Sequence, residues 1–438
     1  MNKLVTLKSL CHKITDGSHF SPKGESKGYP MLSVKDMIDS GFTYDDCKFI
    51  SNEEFDKLVK ADCKPKLNDL LIAKDGSYLK HVFVIKKEID QVILSSIGIL
   101  RPNLNKVNPD YLKYYLQTKS VKETVSKKYV SGSALPRIIL KGFEQIEVLI
   151  KDLHTQKAIA KVLSNLDDKI ELNNKINSEL EVMAKTLYDY WFVQFDFPNE
   201  DGKPYKSSGG KMVYNNELKR EIPEGWEVKE LSDIANITMG QSPSGSSYND
   251  DGFGKIFFQG STDFGWRFPS IRNYTTEPNR MAKKGDILLS VRAPVGTLNI
   301  ADNNCCIGRG LASLNSKENA TSYLFYVMIY FKQIFDRRNS AGTTFGSITK
   351  DDLFSLKLIY PASKPLKKYD TIVSKYNEMI FNNHKQNQQL TELRDWLLPM
   401  LMNGQITVTE AEEKIANSDL NQDMAAEPSV TYINPSND

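Results

Sequence analysis

Two short polar stretches carry side chains suited to hydrogen-bonded recognition. Thr15-Asp16-Gly17-Ser18-His19 follows one apolar run, and Thr238-Met239-Gly240-Gln241-Ser242-Pro243-Ser244 follows another. Hydroxyl, amide, carboxylate and imidazole groups on a rigid turn offer fixed donors and acceptors; the same composition also builds an ordinary turn. Lys74 and Arg292 each follow a strand-like run, in loosely corresponding places. An arginine fork can pair with a guanine edge, and it can equally form a surface salt bridge. Arg137 sits just past Gly132-Ser133, with Thr343-Thr344 in the matching place. These side chains could reach bases or phosphates, or merely close a turn. The candidate contact set is therefore Thr15, Asp16, Ser18, His19, Lys74, Arg137, Gln241, Ser242, Ser244, Arg292, Thr343 and Thr344.

Signs of bond-breaking chemistry are missing. Cys11, Cys47, Cys63, Cys305 and Cys306 show no Cys-x-x-Cys spacing, and the five histidines have no ligand spacing. Reduced thiols are expected, with no metal and no cofactor. There is no Gly-x-x-x-x-Gly-Lys-Ser/Thr loop and no glycine-rich dinucleotide fingerprint. Asn108-Pro109-Asp110-Tyr111 is similar to the Asn-Pro-Pro-Tyr of adenine methyltransferases, but its third residue is Asp. The duplicated copy reads Ala320-Thr321-Ser322-Tyr323, which favours a helix start. Glu227-Val228-Lys229 has nuclease-like spacing without an upstream Pro-Asp. No catalytic residues are expected.

The chain repeats itself. Asp110-Tyr111-Leu112-Lys113-Tyr114-Tyr115-Leu116 returns as Ser322-Tyr323-Leu324-Phe325-Tyr326-Val327-Met328, and Asn68-Asp69-Leu70-Leu71-Ile72 as Gly285-Asp286-Ile287-Leu288-Leu289. Two similar modules suit a target with two parts, and DNA half-sites are the commonest such target. The net charge is only +2. Seven acids and one base lie in 409–438, however, so the rest of the chain is distinctly basic and permits phosphate contacts. No apolar run approaches the ~20 residues of a membrane span, and the first residues do not read as a signal peptide. A cytoplasmic location with no membrane partner is expected.

The expected order is module, helix, module, helix. Residues 1–152 form the first module, with strand-like runs at Asp69–Ala73, His81–Ile85, Val92–Leu100 and Ile146–Ile150 and a helix after Asn108-Pro109. Residues 153–197 hold a long helix with a coiled-coil stripe: Ile159, Leu163, Leu166, Ile170, Asn173, Asn177, Leu180 and Leu187. Residues 198–225 look like an irregular connector, and 226–364 form the second module. Residues 365–404 repeat the helix, with a stripe of Ile372, Met379, Asn383, Gln386, Leu390, Leu393 and Leu397. Pro399 should end or kink it, and Gly404 is a natural terminator. Residues 405–438 are expected to be an acidic, disordered tail. Antiparallel pairing of the helices would bring the polar positions Asn173 and Asn177 to Asn383 and Gln386, fixing register at a cost in stability. The fold class is α+β: two pseudo-symmetric recognition domains joined by two long antiparallel coiled-coil helices.

Several phrases, twice over and in order, give the chain a family likeness. They are Glu171-Leu172-Asn173-Asn174-Lys175-Ile176-Asn177, the run from Leu187 to Pro198, Glu221-Ile222-Pro223-Glu224-Gly225-Trp226, Met239-Gly240-Gln241-Ser242-Pro243 and Ser290-Val291-Arg292-Ala293-Pro294-Val295-Gly296. Over residues 1–408 the chain resembles the specificity subunit of type I restriction–modification systems. The resemblance implies two target-recognition domains, each reading one half of a bipartite site in double-stranded DNA. It implies that the long helices set the spacing and dock two methyltransferase subunits, and that restriction subunits join through these. The adenine methyltransferase and ATP-dependent endonuclease activities would then lie in the assembled complex. A single-chain nuclease or methyltransferase, and a coiled-coil scaffold that does not bind DNA, are the competing readings.

Overall fold

The computed structural model describes residues 3–76, 79–131, 137–340 and 347–418. It divides into two units, Met1–Leu172 with Lys385–Asp438, and Asn173–His384. Each contains one of the two repeated modules and one half of each long helix.

The first unit is built on a four-stranded antiparallel sheet. Its strands are β1 (Cys11–Asp16), β2 (Leu70–Ala73), β3 (Val82–Val84) and β4 (Ile97–Pro102), in the order β1-β4-β2-β3. All four residues of β2 are buried, so the strand is covered on both faces and reads as a continuous apolar run. Helix α1 (Pro109–Gln117) follows. Asn108 caps it by accepting from the Tyr111 amide, and Pro109 takes the first helical position, where a missing N–H costs nothing. Asp110, in the first turn, pairs with Lys86. The apolar run Val92–Leu100 is not one strand. Val92–Ile93 lies in a second sheet, parallel to Tyr29–Leu32, and β4 begins only at Ile97.

The second unit repeats this sheet with β5 (Ala235–Met239), β6 (Ile287–Ser290), β7 (Leu298–Ile300) and β8 (Leu311–Ser316), in the order β5-β8-β6-β7. The parallel pair recurs as Lys255–Phe258 beside Cys305–Ile307. Even single bonds recur. Tyr111 donates to the Leu149 carbonyl at 2.6 Å, and Tyr323 donates to that of Ile359 at 3.0 Å. The connector 198–225 is more ordered than its Gly and Ser content suggests. Met212–Asn215 and Arg220–Pro223 form a hairpin, and Phe197 stacks between Tyr205 and Trp226.

The long helices are α2 (Leu153–Tyr188) and α3 (Ser363–Asn403). In the first unit Ile159, Leu163 and Leu166 share a core with Leu390 and Leu397, and Ile170 and Leu393 lie at its margin. In the second unit the Asn177 side chain accepts from Asn383 at 2.8 Å, and Tyr369 donates to the Ala184 carbonyl at 3.1 Å. The residue numbers run in opposite senses, so the helices are antiparallel there. Leu180 packs with Ile380, Leu187 and Ile372 flank a core, and Asn173 is buried. Met379 departs from the expected stripe: it is 48% exposed, while Ile380 is 1% exposed. Buried positions of α3 include Leu366, Tyr369, Val373, Ile380, Leu390, Leu397 and Leu401. At Val373 and Ile380 the buried position therefore lies a residue later than Ile372 and Met379 suggested. Apolar neighbours such as Ile372-Val373 and Met379-Ile380 fit either phase, and only packing selects one.

A further correction concerns the C-terminal end. Of the two roles expected for Pro399, ending the helix is ruled out, since α3 runs to Asn403 and stops before Gly404, the expected terminator, at φ +75°. Residues 408–416 are not disordered: Val408–Ala416 forms helix α4, capped by Thr407 and Glu410. Ala411 is fully buried, and Ile406, Val408 and Ile415 pack on the first unit's core. Glu410 sits in the first turn, favourable to the helix dipole. Residues 419–438 of the expected disordered tail lie outside the described residues.

Candidate nucleic-acid interface

In each module one sheet edge is built by the same backbone bonds. In the first, the Gly17 amide donates to Ile97 O and the Ser18 amide to Ile93 O. In the second, the Gly240 amide donates to Leu311 O and the Gln241 amide to Ile307 O. The approach is close enough to demand glycine. A Cβ on Gly17 would lie 2.1 Å from Ile93 O, and one on Gly240 2.2 Å from Gly308 O. The residue just past β2 or β6 completes the edge, where Ile138 N donates to Lys74 O and Ile348 N to Val291 O. This register makes Val291 the counterpart of Lys74 and Asp75 the counterpart of Arg292. It places Ser347 opposite Arg292, as Arg137 lies opposite Asp75. The expected correspondences of Lys74 with Arg292, and of Arg137 with Thr343-Thr344, are thereby corrected. Thr343 and Thr344 themselves lie outside the described residues.

The first edge consumes its own charges. Lys74 is 4% exposed and forms a buried ion pair with Asp16. It cannot also serve as a surface contact, because exposing it would strand a buried carboxylate. Arg137 grips Asp75 with both arms, at 2.7 and 2.8 Å. That carboxylate pushes the guanidinium pKa further up. Ser18 is buried, and its hydroxyl donates to Phe20 O at 2.6 Å, folding the turn rather than facing outward. Thr15 is a half-buried strand residue paired with Ile99. His19 remains exposed, 3.2 Å from Asp16.

The second edge is open. Gln241, Ser244 and Arg292 are exposed. Ser244 Oγ lies 2.8 Å from Ser246 Oγ. The half-buried Ser242 hydroxyl accepts from Gln259 Nε2 at 2.9 Å and from the Arg309 amide at 3.2 Å. Two exposed arginines missed in the sequence lie on this edge. Arg280 O accepts from Ile307 N, and Arg309 follows directly after that strand. Arg272 pairs with Asp263, but among the described residues Arg280, Arg292 and Arg309 form no ion pair. A signal for Arg309 existed in the glycines on either side of it.

Among the described residues no group of His, Cys, Asp and Glu is arranged to hold a metal ion. Burial pushes the Cys11 and Cys305 thiols up to about 12, which suppresses the nucleophilic thiolate.

A family model for the type I restriction modification DNA specificity domain matches residues 2–182 and again 223–392. The chain belongs to that family. Each match contains one complete four-stranded sheet and its edge. A putative type I restriction enzyme MjaX specificity subunit from Methanocaldococcus jannaschii is 30% identical over 92% of this chain and 93% of its own length. The type I restriction enzyme HindI specificity subunit from Haemophilus influenzae is 24% identical over 89% of this chain and 97% of its own. The fold is shared with a type I restriction–modification S subunit from M. genitalium (17% identity, TM-score 0.56, covering 92% of this chain and 96% of that one). Specificity subunits of this family are non-catalytic. Among the described residues of this one, no helix is long and apolar enough to cross a membrane.

Proposed function

We propose that each module of this specificity subunit reads one half of a bipartite double-stranded DNA site through the edge described above. The observation that carries this reading is the pair of edges with one backbone scaffold and different side chains. Direct readout needs donors and acceptors on a rigid support, and duplication with divergence supplies two such supports for two sequences. His19 of the first module, and Gln241, Ser242, Ser244 and Arg292 of the second, are the contact residues this reading retains. The long helices dock two methyltransferase subunits, and restriction subunits join through these. Helix length sets the number of unread base pairs between the half-sites. The recognition modules are residues 1–152 and 226–364.

Methylation mapping of the assembled methyltransferase complex tests this. Exchanging residues 226–364 for the matching module of a relative should replace one half-site and leave the other unchanged. A change in both halves would refute the division of labour. Adding seven residues to both helices, roughly 10 Å of rise, preserves the stripe and should lengthen the unread spacer. An unchanged spacer would remove the ruler role.

A further inference from the structure

The turn Gly308-Arg309-Gly310 presents a single side chain from an unusually constrained backbone. The Gly308 amide donates to Phe258 O at 2.8 Å, the Gly310 amide to Gln259 O at 3.1 Å, and the Arg309 amide to Ser242 Oγ at 3.2 Å. All three consecutive amides are therefore committed, while Gly310 O accepts from Val291 at 2.9 Å. The flanking glycines are sterically required. A Cβ on Gly308 would lie 2.8 Å from the Gln259 side-chain oxygen, and one on Gly310 2.7 Å from Gln259 O. Between them Arg309 is exposed and makes no ion pair among the described residues. Arg280 and Arg292 sit on the neighbouring backbone and are uncompensated too. The first module has a corresponding turn without the glycines, Leu94-Ser95-Ser96, in which Leu94 N donates to Leu32 O and Lys74 N to Ser96 O. There the presented residue is Ser95.

We propose that Arg309 is a specificity-determining residue that reads a guanine in the half-site of the second module, its guanidinium donating to O6 and N7 in the major groove. A phosphate contact needs only a positive charge, which a flexible lysine supplies as well. A bidentate base contact needs a planar fork held in place, and a turn with three fixed amides between two obligatory glycines provides that support. The neighbouring Arg280 and Arg292 concentrate positive potential where the duplex must approach. Ser95 in the equivalent place cannot make the two-armed contact, so on this account the first half-site is not read there by a bidentate arginine.

This inference rests on the proposed reading of half-sites by module edges. The test uses the full chain in its methyltransferase complex, with Arg309→Lys and Arg309→Ala compared by methylation mapping and by DNA binding across a salt series. Both variants should lose discrimination at one guanine of the second half-site, by about 10–100-fold. The first half-site should be unchanged, and unaltered thermal unfolding shows that the fold is intact. Full discrimination in both variants, with a salt slope reduced in Arg309→Ala and restored in Arg309→Lys, would make Arg309 a phosphate contact and overturn the proposal. Unchanged discrimination and unchanged slope would overturn it as well. Either result would leave the half-site reading standing. That reading fails separately if exchange of residues 226–364 does not change one half-site alone, and the guanine assignment fails with it.

Discussion

The two edges are one scaffold in two electrostatic states. In the first module the cations are paired: Lys74 is buried on Asp16, and the exposed Arg137 is held by Asp75. In the second, Met239 and Val291 occupy the positions of Asp16 and Lys74, and Arg280, Arg292 and Arg309 remain unpaired among the described residues. Backbone register and obligatory glycines are common to both edges, while charge is free to diverge. A duplicated fold can thus keep its geometry and change what it recognises, because main-chain hydrogen bonds build the edge and side chains only decorate it.

The sharpest test of this contrast is the buried pair. Asp16→Ala leaves Lys74 enclosed without its partner, and should cost about 3–5 kcal/mol in denaturant unfolding of the first unit. Asp16→Met with Lys74→Val, the residues of the second module, should recover most of that loss. Arg292→Ala should change stability by less than about 0.5 kcal/mol, yet lower the salt slope of DNA binding by roughly one. Equal stability losses for Asp16→Ala and Arg292→Ala would erase the distinction between the edges.

The shared scaffold is tested next. Gly17→Ala and Gly240→Ala each push a methyl into a carbonyl oxygen and should cost about 1–3 kcal/mol. Gly245→Ala, where nothing lies within 4 Å, should be nearly neutral. Indifference at Gly17 or Gly240 would show that the close approach is not required.

The helix pairs repeat the contrast on a smaller scale. The second unit uses a neutral amide bond, Asn177 with Asn383, and Asn383→Ala should cost about 1 kcal/mol. The first unit uses charge: Asp167 meets Tyr114 at 2.6 Å, Arg394 at 2.9 Å and Lys113 at 3.1 Å. Burial raises the Asp167 pKa, but Lys113, the Tyr114 hydroxyl and Arg394 outweigh it and hold the carboxyl below its ordinary 3.8. Its stabilising contribution is therefore complete above that value and is lost as pH falls through the depressed one. Thermal unfolding of wild type and Asp167→Asn should differ most at neutral pH and converge as the pH falls through the depressed Asp167 value. A constant difference across that range would contradict the charge-based lock.

Much of this was written in the chain. The repeat located two modules, the 3–4 spacing located two helices, and Asn108-Pro109 located a helix start. The edge was harder to read. Thr15, Asp16, Ser18 and Lys74 have the polarity of contact residues, but strand pairing and burial commit them to the fold. Arg309 was overlooked because nothing local shows that Gln259 and Ser242, 50 and 67 residues away, clamp its turn.

Sequence alone determined what depends on period and local propensity. That includes the duplicated strands, the long apolar stripes, the polar Asn177 and Asn383 within them, and the absence of catalytic motifs. Tertiary structure decided what depends on partners distant in the chain. It chose Ile380 over Met379 as the buried neighbour, folded Val408–Ala416 onto a core, and assigned Asp75 rather than Lys74 as the counterpart of Arg292. The physical reason is that a charge or an apolar side chain has no fixed role until long-range packing settles whether water or protein surrounds it.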